Sequence, residues 1–191
     1  MLTGKDLNII LPLIDKDSYI LSLGYPDIEN STDRDIFTNI ARNLHVIDQK
    51  SSENVNEIID LNFGLYAKHF DNRYDLVIDP GTLEHVFNAS LLISHIAQIV
   101  EVNGYIYHVN PISMINHGYW NISPVMYYDF YTQNGFEILR MEGRRKNGEY
   151  FPLSYDKLKS VPDNSMVVCL AWKVRDVNRI IWPIQGKYKN A

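Results

Sequence analysis

The sequence predicts an α/β fold: a doubly wound domain with a mostly parallel sheet, helices on both faces and an antiparallel ending. Short β-rich runs alternate with helix-like segments, which is typical of parallel sheets with crossover helices. The last two β-rich runs, 136–143 and 165–174, follow one another without an obvious helix between them. Strands joined without a crossover helix favour antiparallel pairing, so these two runs predict the ending.

Five β-rich runs precede that pair, and each is short, as buried strands are. They are YILSLG at 19–24, HVIDQ at 45–49, EIIDLN at 57–62, YDLVID at 74–79 and GYIYHVN at 104–110. The fourth is the clearest, because its β-branched core ends abruptly at Pro80-Gly81.

Two helices are predicted in the first half of the chain. One begins after Ser31 or Thr32 as N-cap. Its apolar positions follow helical spacing: Ile36, Phe37, Ile40, Ala41 and Leu44. The second is a long helix from about Glu84 to Glu101, which ends near Asn103-Gly104.

A third helix is predicted between the fifth strand and the C-terminal pair. Ser123 is placed as its N-cap and Pro124 as its first helical residue. Gly135 follows the segment as a terminator. These signals bound a helix of about ten residues that is rich in aromatic side chains.

Composition and charge narrow the class of protein. With 191 residues, of which 46% are hydrophobic, the chain can bury a core, so we expect one domain at 1–175 and a tail at 176–191. The chain has a net charge of -5, whereas a general nucleic-acid binder usually has a basic surface. No nucleic-acid partner is therefore expected. Apolar runs fall short of the roughly 18 residues of a membrane span. Because no signal-peptide cleavage pattern is evident either, we expect a cytoplasmic protein.

Two further segments have plain interpretations. The lone Cys169 lies within MVVCLAW and is interpreted as a buried hydrophobe. The tail holds four large apolar residues: Ile180, Ile181, Trp182 and Ile184. They either pack back on the sheet or form a homodimer contact, and the sequence leaves both open.

Acidic residues end three strands, namely Asp48, Asp60 and Asp79. Ligands of doubly wound folds bind beyond the carboxyl ends of the strands, so these residues are candidate contacts. Asp48 either accepts hydrogen bonds from ribose hydroxyls or caps a helix that starts at Ser51, and spacing does not choose between the two.

The loop after the first strand, GYPDIEN, argues for a nucleoside without a pyrophosphate. Gly24 lets the backbone approach a ligand closely. However, the loop has a single glycine, and Pro26 lacks a backbone donor. It therefore offers no phosphate cradle, which disfavours a nicotinamide-dependent oxidoreductase.

The order of these motifs resembles class I S-adenosylmethionine-dependent methyltransferases over about residues 18–174. The matching motifs are YILSLGYPD, HVIDQ, EIIDLN, YDLVIDPGTLEHV and VNGYIYHVNP. The resemblance implies a seven-stranded sheet closed by the C-terminal hairpin and S-adenosylmethionine as cofactor. It also implies the cofactor-binding residues, which are Gly24, Asp48, Asp60, Leu61, Asn62, Asp79 and Gly81.

This chain departs from the family pattern in its first motif. Ser22 stands where the family usually has an acid that holds the cofactor's amino group, and GYPD lacks the second glycine. The segment 116–138 is in turn similar to small bacterial methyltransferases associated with sugar or surface-polysaccharide modification. That similarity implies a sugar or a sugar-derived metabolite as the acceptor.

His85 is the first candidate catalytic residue, because it follows the fourth strand and its ordinary pKa lies near working pH. Some family members use E-x-x-E-H here to hold a divalent metal. In this chain Gly81 replaces the first Glu, so no metal site is predicted. The plain alternative is capping, in which Glu84 favours a helix N-terminus and His85 bonds a backbone carbonyl.

His117, in INHGYW, is the second candidate base. It follows the fifth strand, where Asn116, Tyr119 and Trp120 offer a sugar both hydrogen bonds and a stacking face. The alternative is a loop that only covers the core. The sequence thus predicts methyl transfer to an oxygen of a small polar acceptor, and the alternative is a non-catalytic methyltransferase-like scaffold with a weakened cofactor site.

Overall fold

The computed structural model describes residues 2–28, 30–71, 73–153 and 161–188. These residues form one mixed sheet of eight strands. The strands are β1 Tyr19–Leu23, β2 Asn43–Asp48, β3 Glu57–Ile58, β4 Tyr74–Asp79, β5 Val100–Pro111, β6 Phe136–Arg144, β7 Tyr150–Pro152 and β8 Met166–Lys173. The helices are α1 Gly4–Ile10, α2 Ser31–Ile40, α3 Ala67–Asp71, α4 Ala89–Ile99 and α5 Pro124–Gln133.

The strand order is β3-β2-β1-β4-β5-β8-β6-β7. Strands β1 to β5 pair in parallel, whereas β8 pairs antiparallel with both β5 and β6. A mostly parallel sheet with an antiparallel C-terminal hairpin is therefore confirmed. The sheet has eight strands rather than seven because β7 adds an edge to β6. Three residues are too few to show a strand periodicity in the sequence.

Alternate residues of the central strands belong to two different clusters of the core. Leu21 and Val77 pack in one cluster with residues of α4 and α5. Ile20 and Leu76, which precede them along β1 and β4, pack in the other cluster with residues of α1 and α2. This alternation follows from the two-residue period of a strand. Cys169 is fully buried in the first cluster, as its apolar surroundings predicted.

Helix α1 was not predicted, although a capping box at Thr3 and Asp6 begins it. Asp6 is fully buried, and it accepts hydrogen bonds from the hydroxyls of Tyr107 at 2.6 Å and Tyr150 at 2.5 Å. It also pairs with the buried guanidinium of Arg144. One carboxylate thereby joins the N-terminal helix to β5 and to the β6–β7 hairpin.

Two predicted element boundaries are wrong for physical reasons. The expected helix 84–101 is instead a 3-10 turn at Leu83–His85 followed by α4, and β5 already begins at Val100. The turn forms because the side chain of Glu84 points into the protein, where it is fully buried. The expected strand 57–62 stops at Ile58, since Asp60 caps a 3-10 turn by accepting the Asn62 N–H at 3.0 Å.

The third predicted helix is correct in its position, and the tail folds back onto it. α5 begins at Pro124 with Ser123 as N-cap residue, and Gly135 follows at a φ of 85°. Asn134, at its C-terminal end, exchanges hydrogen bonds of 2.8 and 2.9 Å with the backbone of Ile181.

The division into a 1–175 domain and a tail stays a prediction. Within the described part of the chain, the helices fall short of the length and apolarity that crossing a bilayer requires.

The N-cap of α2 is Asn30 rather than Ser31 or Thr32. Its Oδ1 accepts from the backbone N–H groups of Thr32 at 2.9 Å and Asp33 at 3.2 Å. We expect Asn30→Ala to lower the free energy of unfolding by about 1 kcal/mol, because those two donors lose their partner. Urea denaturation measures the change. Ser31→Ala is the matched control and should leave stability nearly unchanged, while the reverse ranking would contradict the assignment.

Candidate active site at the carboxyl ends of the parallel strands

A cavity of about 470 Å³ lies beyond the carboxyl ends of β1, β2 and β4. It is lined by Gly24, Tyr25, Asp48, Gln49, Lys50, Leu61, Pro80, Gly81, Thr82, His85 and Val86. Five residues that the sequence singled out thus meet around one space: Gly24, Asp48, Leu61, Gly81 and His85. This is the position at which doubly wound folds bind their ligands.

Gly24 forms a wall that has no room for a side chain. Its φ is 82°, and a Cβ there would lie 2.9 Å from Thr82 Oγ1 and 3.6 Å from Asp48 Oδ2. The Ser22 hydroxyl donates to the Gly24 carbonyl at 2.7 Å, and Thr82 Oγ1 donates to the Leu23 carbonyl. Ser22 stands where the family motif usually has an acid. Its hydroxyl instead fixes the backbone of the loop that begins at Gly24.

Asp48 is partly exposed at the end of β2 and lines the cavity. Its Oδ1 accepts the backbone N–H of Lys50 at 3.0 Å. Residues 51–56, all of them described, form a loop with a turn at 53–54 and no helix, so the alternative in which Asp48 caps a helix at Ser51 is wrong. The carboxylate is left facing the space beside Gly24.

Asp60 and Asn62 lie outside the cavity lining as the described residues define it. Asp60 Oδ1 accepts from both nitrogens of Asn62 at 3.0 Å, and Asn62 in turn contacts Asn88. These bonds fix the 3-10 turn whose buried Leu61 reaches the cavity. The two polar residues thus hold the turn that carries Leu61, and their assignment as cofactor contacts stays a prediction.

Asp79 ends β4 with its carboxylate turned into the protein. Its side chain is fully buried, and Oδ2 accepts from His108 Nδ1 at 2.8 Å and Asn110 Nδ2 at 2.9 Å. Oδ1 accepts the backbone N–H groups of Thr82 at 2.8 Å and Leu83 at 3.1 Å. Burial raises the pKa of this carboxyl, but His108 and the hydrogen bonds outweigh burial and hold it below its usual value.

The hydrogen bonds continue from Asp79 into two buried tyrosines. His108 Nε2 lies 2.6 Å from the Tyr131 hydroxyl, and the His108 ring stacks on Tyr127 with centroids 4.5 Å apart. The Tyr127 hydroxyl donates to Asn110 Oδ1 at 2.5 Å. Burial raises the pKa of both tyrosines well above its usual value, so both keep their protons. The network fixes Asn110, whose second amide proton is directed at Glu84.

Glu84 is a functional candidate whose role the sequence did not reveal, because there it is either the second Glu of an incomplete metal motif or an ordinary helix-start residue. Its Oε2 accepts from Asn110 Nδ2 at 2.9 Å. Its Oε1 is buried and has no hydrogen-bond partner among the described residues. Burial and the charge of Asp79 raise the pKa of Glu84 to about 7. A buried carboxyl that titrates near neutrality and has one unpaired oxygen is suited to accept a proton.

Both predicted bases lie beside that unpaired oxygen. His117 Nε2 is 3.6 Å and His85 Nε2 is 4.0 Å from Glu84 Oε1, and the two rings are 5.2 Å apart. His85 lines the cavity, whereas His117 lies outside its described lining. Burial, and then the charge of His117, lowers the pKa of His85, which favours its neutral form at pH 7.

The loop that carries His117 can approach Glu84 only because Gly118 has no side chain. A Cβ on Gly118 would lie 2.8 Å from the Glu84 carbonyl oxygen and 2.9 Å from its Cγ. The next residue, Tyr119, donates its N–H to that carbonyl at 2.8 Å. The loop is therefore fixed on the turn that holds Glu84 and His85.

Glu84, His85 and His117 each offer one ligand atom within 4.8 Å of the other two. Carboxylate and imidazole donors at this spacing are compatible with a divalent cation. The sequence predicted no metal here because Gly81 replaces one acid of the family motif. That expectation stays a prediction.

Aromatic side chains flank the histidine pair. Phe87 and Tyr119 are each 66% exposed and meet edge to face at 5.5 Å, and Trp120 lies 5.9 Å from Phe87. The Trp120 Nε1–H donates to the Val86 carbonyl at 3.1 Å. Large aromatic rings that are held in place yet exposed provide a stacking surface next to the candidate bases.

A second cavity, of about 850 Å³, opens between α1, the β6–β7 turn and the loop after β5. Its lining includes the cationic residues Lys5, Arg145 and Lys146 together with Met114 and Asn164. This cavity draws on residues 111–124 and on residues 143–165, of which 154–160 lie outside the described residues.

No family model and no curated protein sequence matches this chain. Solved structures match in fold over most of its length. TehB from Haemophilus influenzae is 14% identical with a TM-score of 0.58, covering 88% of this chain and 62% of that one. An rRNA methylase from Streptococcus thermophilus is 13% identical with a TM-score of 0.55, covering 90% and 96%.

A third similar structure is the Burkholderia thailandensis 1,6-didemethyltoxoflavin-N1-methyltransferase with bound 1,6-didemethyltoxoflavin and S-adenosylhomocysteine. It is 11% identical with a TM-score of 0.54, and the match covers 90% of this chain and 76% of that one. The fold is therefore that of class I S-adenosylmethionine-dependent methyltransferases. Identities this low establish the fold and not the substrate.

Proposed function

We propose that this protein transfers a methyl group from S-adenosylmethionine to an oxygen of a small polar acceptor, with a sugar or a sugar-derived metabolite as the first candidate. The observation that carries the proposal is the meeting of Gly24 and Asp48 with His85 around one cavity, next to the unpaired carboxylate oxygen of Glu84. The proposal includes helices on both faces of the sheet, which the two core clusters support.

The cavity has features that suit the cofactor. Asp48 presents a carboxylate to accept from the ribose hydroxyls, and Leu61 and Val86 supply apolar surface for the adenine. Gly24 lines the cavity beside Asp48 and places no side chain between that carboxylate and the cavity. When bound, S-adenosylmethionine supplies an electrophilic methyl group on a positively charged sulfur. Gly81 lines the cavity, and the buried Asp79 lies two residues before it at the end of β4.

The residues around Glu84 would manage the proton of the acceptor hydroxyl. His85 takes the proton at Nε2 where it lines the cavity, and Glu84 Oε1 stabilises the imidazolium that results. His117, on the other side of Oε1, either shares this task or orients the acceptor. Most of the rate enhancement comes from holding donor and acceptor in line, with a smaller part from the base.

The acceptor class is inferred from the surface next to the bases. Tyr119 and Trp120 offer an apolar face of the kind that sugar rings stack on, and Asn121 and His117 add polar groups nearby. The cationic side chains of the larger cavity suit an acceptor that also carries negative charge. These features support the proposal of a sugar-derived acceptor, and an acceptor screen by labelled-methyl transfer tests it.

Cofactor binding is the first test of the proposed function. Calorimetric titration with S-adenosylmethionine, and separately with S-adenosylhomocysteine, should show binding of both. Asp48→Ala should weaken it by about 10- to 100-fold, because a hydrogen bond to a charged group contributes about 1.5–3 kcal/mol. Asp35→Ala, which removes an exposed carboxylate on α2, is the matched control and should bind like the wild type.

The same titration decides against the alternative, a non-catalytic scaffold. GYPD and Ser22 motivate that alternative, since the first motif lacks an acid and a glycine. A folded protein that binds neither ligand would refute the enzyme and favour the scaffold. Light scattering on the same samples reports whether the chain forms the homodimer that its apolar tail suggests.

A further inference from the structure

A second group of histidine and glutamate side chains lies at the β3 edge of the sheet. His45 comes from β2, Glu57 from β3 and His69 from α3. Glu57 Oε2 is 3.2 Å from His69 Nε2 and 3.6 Å from His45 Nε2. One ligand atom of each residue lies within 4.8 Å of the other two. We propose that His45, Glu57 and His69 bind a divalent transition-metal cation such as Zn²⁺, at a site separate from the candidate active site.

The spacing of these atoms fits tetrahedral coordination. Zn²⁺ binds imidazole nitrogen and carboxylate oxygen at about 2.0–2.2 Å, so two ligand atoms at a tetrahedral angle stand about 3.4 Å apart. The two distances to Glu57 Oε2 bracket that value. Two imidazoles and one carboxylate leave a fourth position for water, as in three-ligand zinc sites.

Hydrogen bonding within the cluster leaves the Nε2 atom of His45 without a partner among the described residues. His69 Nε2 has Glu57 as its partner, but the His45 Nε2 atom is buried and makes no hydrogen bond with any described residue. A cation between the three side chains would give this buried nitrogen a partner.

The surroundings of the other two ligands suit a metal site. The Nδ1 atom of His69 accepts the Tyr66 N–H at 3.0 Å and lies 3.2 Å from the Tyr66 carbonyl, and these outer contacts orient the ring with Nε2 toward Glu57. Lys68 Nζ contacts Glu57 Oε1 at 2.6 Å, which leaves Oε2 toward the imidazoles.

A cation here would tie together a weakly paired part of the sheet. Strand β3 has only two residues, and the segment from Glu57 to His69 carries Leu61 in the wall of the cofactor cavity. Asp48 follows His45 on the same strand. Metal binding should therefore stabilise the native state and hold this wall in place.

The test uses the full chain with His85→Gln and His117→Gln, so that the other cluster does not contribute. After removal of metal with a chelator, titration with Zn²⁺ should show one equivalent bound at about micromolar affinity or tighter. Co²⁺ should give the visible absorption of a tetrahedral complex. Zn²⁺ should also raise the midpoint of thermal unfolding.

Adding His45→Gln or His69→Gln to this background should weaken Zn²⁺ binding by more than about tenfold, since even outer partners are worth 10–100-fold. His95→Gln, which removes a nearby imidazole outside the cluster, is the matched control and should keep the affinity. Thermal unfolding without metal shows that each variant is folded. Absence of Zn²⁺ binding in the background would overturn the proposal. So would His45 and His69 variants that bind Zn²⁺ as tightly as the background does.

Discussion

Asp79→Ala is expected to lower the free energy of unfolding by about 3–5 kcal/mol, because it removes a buried carboxylate and leaves its buried hydrogen-bond donors without an acceptor. The Asp79 carboxylate is fully buried and accepts four hydrogen bonds. Without it, His108 Nδ1 and one Asn110 amide proton lose their acceptor in the interior. An unsatisfied buried donor loses the water that it had in the unfolded chain.

The pH dependence of stability gives a second readout of the same substitution. The pKa of Asp79 is lower in the folded state than its usual value, so the carboxylate contributes stability above about pH 4. That contribution is lost as the pH falls through the folded pKa. The wild type should therefore lose more stability on acidification than Asp79→Ala, and urea denaturation between neutral and acidic pH measures both.

Asp75→Ala, on the same strand, is the matched control for Asp79→Ala. Among the described residues, Asp75 accepts one hydrogen bond, from the Tyr19 N–H at 2.8 Å. Its loss should lower the free energy of unfolding by about 1 kcal/mol. Equal losses for the two variants would contradict the central place given to Asp79.

Glu84→Gln is expected to lower kcat for methyl transfer by about 100-fold or more, the range of a general acid or base. Glutamine preserves the volume and the acceptor for Asn110 Nδ2, so the variant should fold. It cannot take a proton or stabilise an imidazolium on His85 or His117, whose Nε2 atoms lie 4.0 and 3.6 Å from Oε1. Labelled-methyl transfer to the acceptor found by screening measures the change.

The pH profile separates this role from a structural one. Burial and the charge of Asp79 raise the pKa of Glu84 to about 7, so the ionised form increases as the pH rises through neutrality. The wild-type rate should rise over that interval, and Glu84→Gln should lose this part of the profile. Glu53→Gln, at an exposed position, is the control. A Glu84 variant as fast as the wild type would remove this carboxylate from the mechanism.

NMR titration of the histidine rings checks the same interaction without an acceptor. In the wild type, ionisation of Glu84 near pH 7 should perturb the resonances of His85 and His117, because both rings lie beside Oε1. In Glu84→Gln that perturbation should be absent. His95 is the internal control, because its Nδ1 accepts the Leu65 N–H outside this turn. It should titrate alike in both proteins.

The positions of the strands were predictable because a strand pattern is local. Apolar runs ended by Gly24, Asp48 and Asp79 led to the edge of the sheet where the cavity lies. The role of Glu84 was not predictable in this way. Its pKa and its unpaired oxygen depend on Asp79 and Asn110, which neighbouring strands bring together.

The sequence by itself determined the alternation of strands and helices, and with it the edge of the sheet at which polar residues collect. Only the tertiary structure decided what each of them does. Asp48 and Asp79 both follow Val-Ile at a strand end, yet one lines the cavity and the other is buried. The reason lies in the neighbours: β5 places His108 and Asn110 against Asp79, whereas the residue beside Asp48 at the cavity is Gly24, which has no side chain.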